Sequence, residues 1–290
     1  MKIFIILLPA LLIINQLFSQ ARIIVDFNQT ASQIFNKNWI DIETKLKVEY
    51  SFEKLDELSY RLTYRKIFWQ QEGGGTTINY DSSKKNNTKK INPFSFLLNE
   101  SITLKFNSVG KIINAIGEKN VVENVIAKIK TKAPKSQQPS LIKIFNRMHS
   151  REHNLKTFTP FFLGLPPSSL PIGESWKEKY VTGTAISINV IQSTTLKEKL
   201  ADRVILEGSA TLKTNSKSPA IQNPKYTISY NLTGKQESLS ILSRTTGFPY
   251  SVTLKQSLSG SANLKSSQIK KKWPLAVYTI IKMSLIEEKN

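Results

Sequence analysis

The chain has 290 residues and a formal net charge of +20, from 41 basic and 21 acidic residues, and it contains no cysteine. A disulfide framework and an acylated-cysteine lipid anchor are therefore excluded, and the fold must rest on a hydrophobic core alone. The basic excess favours soluble, mutually repulsive monomers drawn to anionic surfaces. It does not read as nucleic-acid binding: the dense spots, KKNNTKK at 84–90 and KKK at 270–272, lie beside loops without interleaved stacking aromatics.

The N-terminal MKIFIILLPALLIINQLFSQA has one lysine, an apolar run from Ile3 to Ile14, and a polar exit through Asn15, Gln16 and Ser19. Its apolar run is shorter than the roughly 20 residues of a membrane span. It is read as a signal peptide, residues 1–19, implying export to the periplasm or the exterior. No other stretch is a transmembrane candidate, so no membrane anchor is expected after cleavage.

The mature chain opens on β patterns. In KLKVEYSFE, 45–53, polar residues alternate with Leu46, Val48, Tyr50 and Phe52, the signature of a half-buried strand. YRLTYRKIFW follows as its hairpin partner. GGG at 73–75 and the polar run 81–92 read as loops around a short strand at Thr77 to Tyr80, and 101–117 reads as a further hairpin with an Asn-Ser-Val-Gly turn.

The period then changes. Val122, Val125, Ile126 and Ile129 fall at helical spacing, and a second helix from about Ser140 carries Leu141, Ile144, Phe145 and Met148 as its stripe. Two amphipathic helices in sequence imply a shared apolar surface to cover. From Tyr180 the alternation returns in a meander, with TGK at 233–235 and TTGFP at 245–249 among its connections. LAVYTIIKMSLI, apolar on both phases, is expected inside the sheet.

HSREH, 149–153, holds both histidines of the chain. Read as His-x-x-Glu-His it is the inverted zinc-peptidase signature; on one continuous helix His149 and His153 share a face, with Glu152 placed to act as a general base. Two features oppose that chemistry. Extending the second helix's stripe would drive Glu152 into the core, and a third ligand is missing, because Glu207 and Glu237 lie in strand-like or turn segments. The expectation is a helix ending near Ser150, with Arg147, His149 and Arg151 at its negative end and Asn154 in a left-handed turn. No catalytic residue, cofactor or metal ligand is assigned; a zinc-dependent hydrolase stays as the alternative.

FFLGLPPSSLPIGESWKEKY, 161–180, reads as a rigid extended crossing: prolines, Pro171 among them, fix the backbone, Gly173 allows a turn, and Trp176 plugs the space between helices and sheet. Leu165, Pro166 and the run Pro171-Ile172-Gly173-Glu174-Ser175-Trp176 resemble a segment of secreted Bacteroidota proteins of unknown function. The resemblance implies export and a β-rich fold, and no activity.

The resulting expectation is an α+β protein: a large curved, mostly antiparallel sheet of ten or so strands, half-barrel-like, covered by two helices. It forms one domain, 20–290, in two intimate halves, 20–117 and 177–290, joined by a helical segment 118–160. The expected role is non-enzymatic: binding a lipid or other amphiphile, or an anionic envelope component. That role rests on analogy with curved sheets that hold apolar ligands.

Overall fold

The alternation around Val48 belongs to a strand much longer than its clearest stretch. A computed structural model describes residues 21–35, 38–84, 93–117, 119–183, 186–215, 221–223 and 226–286; the leader at 1–19 and most of the 84–90 lysine cluster lie outside them. The first strands are β1 (Ala21–Phe35), β2 (Asn38–Lys54), β3 (Ser59–Gly73), β4 (Thr76–Asp81), β5 (Ser101–Phe106) and β6 (Ile112–Gly117). Three helices follow: α1 (Lys119–Lys132), α2 (Gln138–Met148) and α3 (Arg151–Phe158). The chain then forms β7 (Ser175–Thr182), β8 (Ile188–Lys199), β9 (Arg203–Thr214), β10 (Ile221–Asn223), β11 (Tyr226–Ser243), β12 (Pro249–Ser266) and β13 (Lys270–Ile286).

The thirteen strands of the described residues join one open sheet in the order β6-β5-β3-β2-β1-β13-β12-β11-β9-β8-β7, with β4 on β3 and β10 on β11. The pairings are antiparallel, and β13 is interior, between β12 and β1. The first and last described strands, β1 and β13, therefore pair in the middle of the sheet. The fold is the expected α+β arrangement of a curved antiparallel sheet with helices from mid-chain, with more strands and a third helix.

TGK at 233–235 is not a turn: β11 runs 18 residues straight through it. Gly234 is instead a site of close strand approach, where an added Cβ would lie 1.8 Å from the Ser257 carbonyl oxygen. Gly260, at φ +151°, meets the Asn231 oxygen in the same way. Glycines on one face let neighbouring strands crowd and the sheet curl. Register shifts at Glu49/Tyr50, Leu196/Glu198 and Ile241/Leu242 add local twist.

The long strands have an upper end, at the β2–β3, β5–β6 and β11–β12 turns, and a lower end at the β3–β4 and β12–β13 turns. The upper end is filled. Val125 and Ile129 of α1, Leu141 and Phe145 of α2, and Phe158 of α3 share a buried cluster with Ile23, Val48, Leu62, Leu104 and Met283. Phe162 packs edge-on to Phe106 at 5.1 Å and against Phe248 at 5.4 Å, contacts worth about 0.5–1.5 kcal/mol each beyond burial. The β5–β6 and β11–β12 turns dock glycine to glycine: a Cβ on Gly110 would lie 2.5 Å from the Thr246 oxygen. The edge strands also approach each other, since Lys111, just before β6, lies with its Nζ 2.7 Å from Glu178 Oε1 on β7, and Ile112 donates to the Phe162 carbonyl in the segment that follows α3.

Candidate functional site

The HSREH stretch straddles a helix break. α2 ends at Met148, Ser150 is the N-cap of α3, and its hydroxyl accepts from the His153 backbone N–H at 3.2 Å. The expected cap is therefore that of a new helix, and Asn154 is buried within α3, not in a left-handed turn. The physical reason is the one that opposed a continuous helix: breaking the axis at Ser150 keeps Glu152 out of the core. Glu152 is exposed and ion-paired to Lys156.

His149 thus lies just past the end of α2 and His153 within α3, and the single-helix geometry of the zinc signature does not form. His149 is buried against Phe145, ring centroids 4.3 Å apart, and over Gly117, where a Cβ would lie 2.5 Å from its Nδ1. Neither ring nitrogen has a hydrogen-bond partner, and burial pulls its pKa down to about 4, so the imidazole is neutral. Glu207 and Glu237 lie on the convex face, beside a depression of about 360 Å³ that Leu239, Thr253 and Lys255 also line. Among the described residues no group of three or more histidine or acidic side chains is placed to hold a metal.

The Pro171–Trp176 segment is a staple over the sheet's upper corner. Gly173, at φ +91°, donates its N–H to the Leu196 carbonyl, and Leu196 donates to the Glu174 carbonyl. Trp176 is half-buried with Leu165 and Leu170 on a cluster of Leu196, Val204, Leu206 and Leu242. It packs between this segment and β8, β9 and β11, not beneath the helices. Pro171 and Gly173 themselves are exposed.

The organised polar feature of the concave face is a row that crosses it. Register aligns Glu178 with Gln192, then Ala210, Gln236, Gln256 and Thr279 on successive strands β7, β8, β9, β11, β12 and β13. The row continues through Gln29, Thr44 and Gln71 on β1, β2 and β3. Gln192, Gln236 and Thr279 are 2, 2 and 3% exposed. Gln256 Nε2 donates to Gln236 Oε1 at 2.8 Å, and Gln236 Nε2 donates to Gln192 Oε1 and the Tyr180 hydroxyl at 3.0 and 3.1 Å. Tyr180 in turn donates to Gln192 Oε1 at 2.8 Å, and burial pushes its pKa up to about 12. Gln29 donates to Thr279 and Gln71 to Thr44.

Such a network supplies each other's partners, which is what makes burial of amides tolerable. At its β7 end, Glu178 Oε2 is buried without a hydrogen bond while Oε1 holds Lys111. The row was missed in the sequence because its members are isolated within strand phases read for their apolar residues, as Gln256 is among Val252, Leu254 and Leu258.

The row divides the apolar face. Above it lies the helix-covered cluster; below it, Ile188, Val190, Leu212, Leu232, Leu258, Ala262 and Leu275 form a second one, with Ala31, Tyr230, Trp273 and Val277 partly buried around it. Among the described residues no helix residue belongs to this lower cluster.

A profile described as "Family of unknown function (DUF6263)" matches residues 56–249. The chain belongs to that family. The match runs from the β2–β3 turn to the first residue of β12, so the DUF6263 segment includes all three helices and the Pro171–Trp176 staple, whereas β1, β2, β13 and most of β12 lie beyond it. No curated protein matches. Among solved structures, one described as lipid–protein interactions in lipovitellin is 8% identical with a TM-score of 0.47, over 94% of this chain and 26% of that one. The chain thus spans about a quarter of lipovitellin's length. An outer membrane channel from Pseudomonas putida F1 is 6% identical, TM-score 0.22, over 92% of this chain and 96% of that one. OmpF of Salmonella typhi in complex with daunomycin is 6% identical, with the same score, over 92% and 98%. No helix among the described residues is long and apolar enough to cross a membrane.

Proposed function

We propose that this is an exported, non-enzymatic protein of the cell envelope that holds an apolar or amphiphilic ligand in the lower half of its concave sheet face. One observation carries the reading: among the described residues no helix residue joins the lower apolar cluster, in contrast to the upper one, while the glutamine–threonine row bounds it from above. Apolar walls with a few convergent polar groups suit an amphiphile, whose chain would pack along the partly buried Ala31, Tyr230, Trp273 and Val277. Export rests on the leader-like residues 1–19.

Trp273, half-buried in the lower cluster, is a built-in reporter. Titration of the mature protein with a long-chain lysophospholipid below its micellar concentration is expected to give a saturable blue shift in tryptophan emission. The shift should vanish in Trp273→Phe. An unchanged spectrum across the titration, with no ligand adduct in native mass spectra, would remove the reading.

A further inference from the structure

The lower end carries a second feature, at the β12–β13 turn. Between Ser238 and Ile286 the chain has no aspartate or glutamate, while it has Arg244, Lys255, Lys265, Lys270, Lys271, Lys272 and Lys282. Four of these meet at one place: Lys265 is the cross-strand partner of Lys270, with Lys271 and Lys272 next along β13. All four are exposed, and none has an ion-pair partner among the described residues.

Like charges facing each other across a pair destabilise a hairpin tip, so the turn itself must be held by other means. Ser266 Oγ accepts from the Ile269 and Gln268 backbone N–H groups at 2.9 and 3.3 Å, and Ser266 N–H donates to the Ile269 carbonyl at 2.8 Å. This locked turn presents Ile269 outward, 55% exposed, at the apex of the lysine cluster. Three pairs up the hairpin from Lys265 and Lys270, Ala262 faces Trp273 in the lower apolar cluster.

We infer that the β12–β13 tip is a docking point for an anionic lipid bilayer: the lysines engage the headgroup layer and Ile269 inserts at the interface. Charge complementarity selects this partner. Unpaired lysines around a projecting apolar side chain gain from both an anionic surface potential and shallow insertion, whereas a soluble polyanion offers Ile269 no apolar phase. Docking there brings the lower mouth of the concave face toward the bilayer. The inference adds an encounter surface to the amphiphile reading, yet it can stand or fall without a ligand in the cluster, because its test measures attachment to vesicles, not uptake.

The experiment is vesicle co-sedimentation with phosphatidylcholine alone and with an equal mixture of phosphatidylcholine and phosphatidylglycerol. The mature protein is expected to sediment only with the anionic vesicles and to be released when salt rises from about 0.05 M to about 0.5 M, where screening is short-ranged. K270E/K271E/K272E is expected to weaken binding at least about 100-fold, from the roughly fivefold contribution of each juxtamembrane lysine. Ile269→Ser is expected to weaken it several-fold without changing its salt dependence. A charge-matched control, K177E/K179E/K235E at exposed positions on β7 and β11, should retain most of the binding. Equal loss in both triple variants, equal binding to neutral vesicles, or binding to soluble heparin but not to vesicles would overturn the inference.

Discussion

The upper and lower halves of this sheet are built from the same long strands with the same two-residue period, yet they differ in what covers them. Above the polar row, three helices and a set of interlocked aromatics seal the concave face; below it, the apolar side chains gather with no helix residue among them in the described residues. Both clusters are buried, but the upper one is closed by helices and the lower one by the sheet's own side chains, with Ala31, Tyr230, Trp273 and Val277 only partly buried at its margin. On the proposed reading, stability and recognition lie at opposite ends of the same strands.

The sharpest way to break this comparison is truncation on each side. Phe162→Ala, at 1% exposure within the aromatic cluster, is expected to cost about 3–5 kcal/mol in denaturant unfolding. Trp273→Ala, half-buried in the lower cluster, is expected to cost less than half as much while abolishing ligand-linked changes. Equal costs would mean that the two halves are packed alike.

Next in size is the boundary. Gln236→Leu leaves the Gln256 amide and the Gln192 and Tyr180 oxygens short of a partner, and is expected to cost about 1–3 kcal/mol. Replacing Gln192, Gln236 and Gln256 together by leucine is expected to cost less than the sum of the single changes, because the triple variant strands fewer buried groups. Strict additivity in a double-mutant analysis would show that the row does not act as one network.

Two buried ionisable groups in the upper half give smaller, pH-dependent effects. Glu100 is 3% exposed with Oε2 unpartnered, and burial raises its pKa to about 7, partly countered by Lys128. Its stabilising contribution is complete below the ordinary carboxyl value of 4.5 and is lost as pH rises toward 7. His149 has the opposite sign: its contribution is complete above 6.5 and is lost as pH falls toward about 4. Between 4.5 and 6.5 the two slopes oppose each other. Glu100→Gln is therefore expected to make stability rise with pH across that window, and His149→Phe to make it fall, with slopes of up to about 1.4 kcal/mol per pH unit. Unchanged pH profiles would show that neither group is held in its unfavourable environment.

Much of the architecture was legible in period alone. The hairpins of 45–68 and 101–117, the α1 stripe and the interior position of β13 follow from which residues repeat at two and which at three to four. β1 escaped because its concave phase, Val25, Phe27, Gln29, Ala31, is broken by the same glutamine that makes the row. The turn read at Gly234 failed because glycine marks both chain reversal and close strand approach, and only the neighbouring strand distinguishes them. The polar row was unreadable for a related reason: its members are scattered from Gln29 to Thr279, and register alone brings them into line. The α2–α3 break was half visible, since the conflict at Glu152 pointed to a helix end but not to Ser150 starting another helix.

The most direct test is hydrogen exchange of the backbone amides with and without a saturating lysophospholipid. The two-ended account predicts added protection in the lower parts of β11, β12 and β13, around Tyr230, Ala262 and Trp273, and no change in α1, α2 or β5. Protection confined to the helix-covered end, or no protection anywhere under conditions of demonstrated excess ligand, would contradict it.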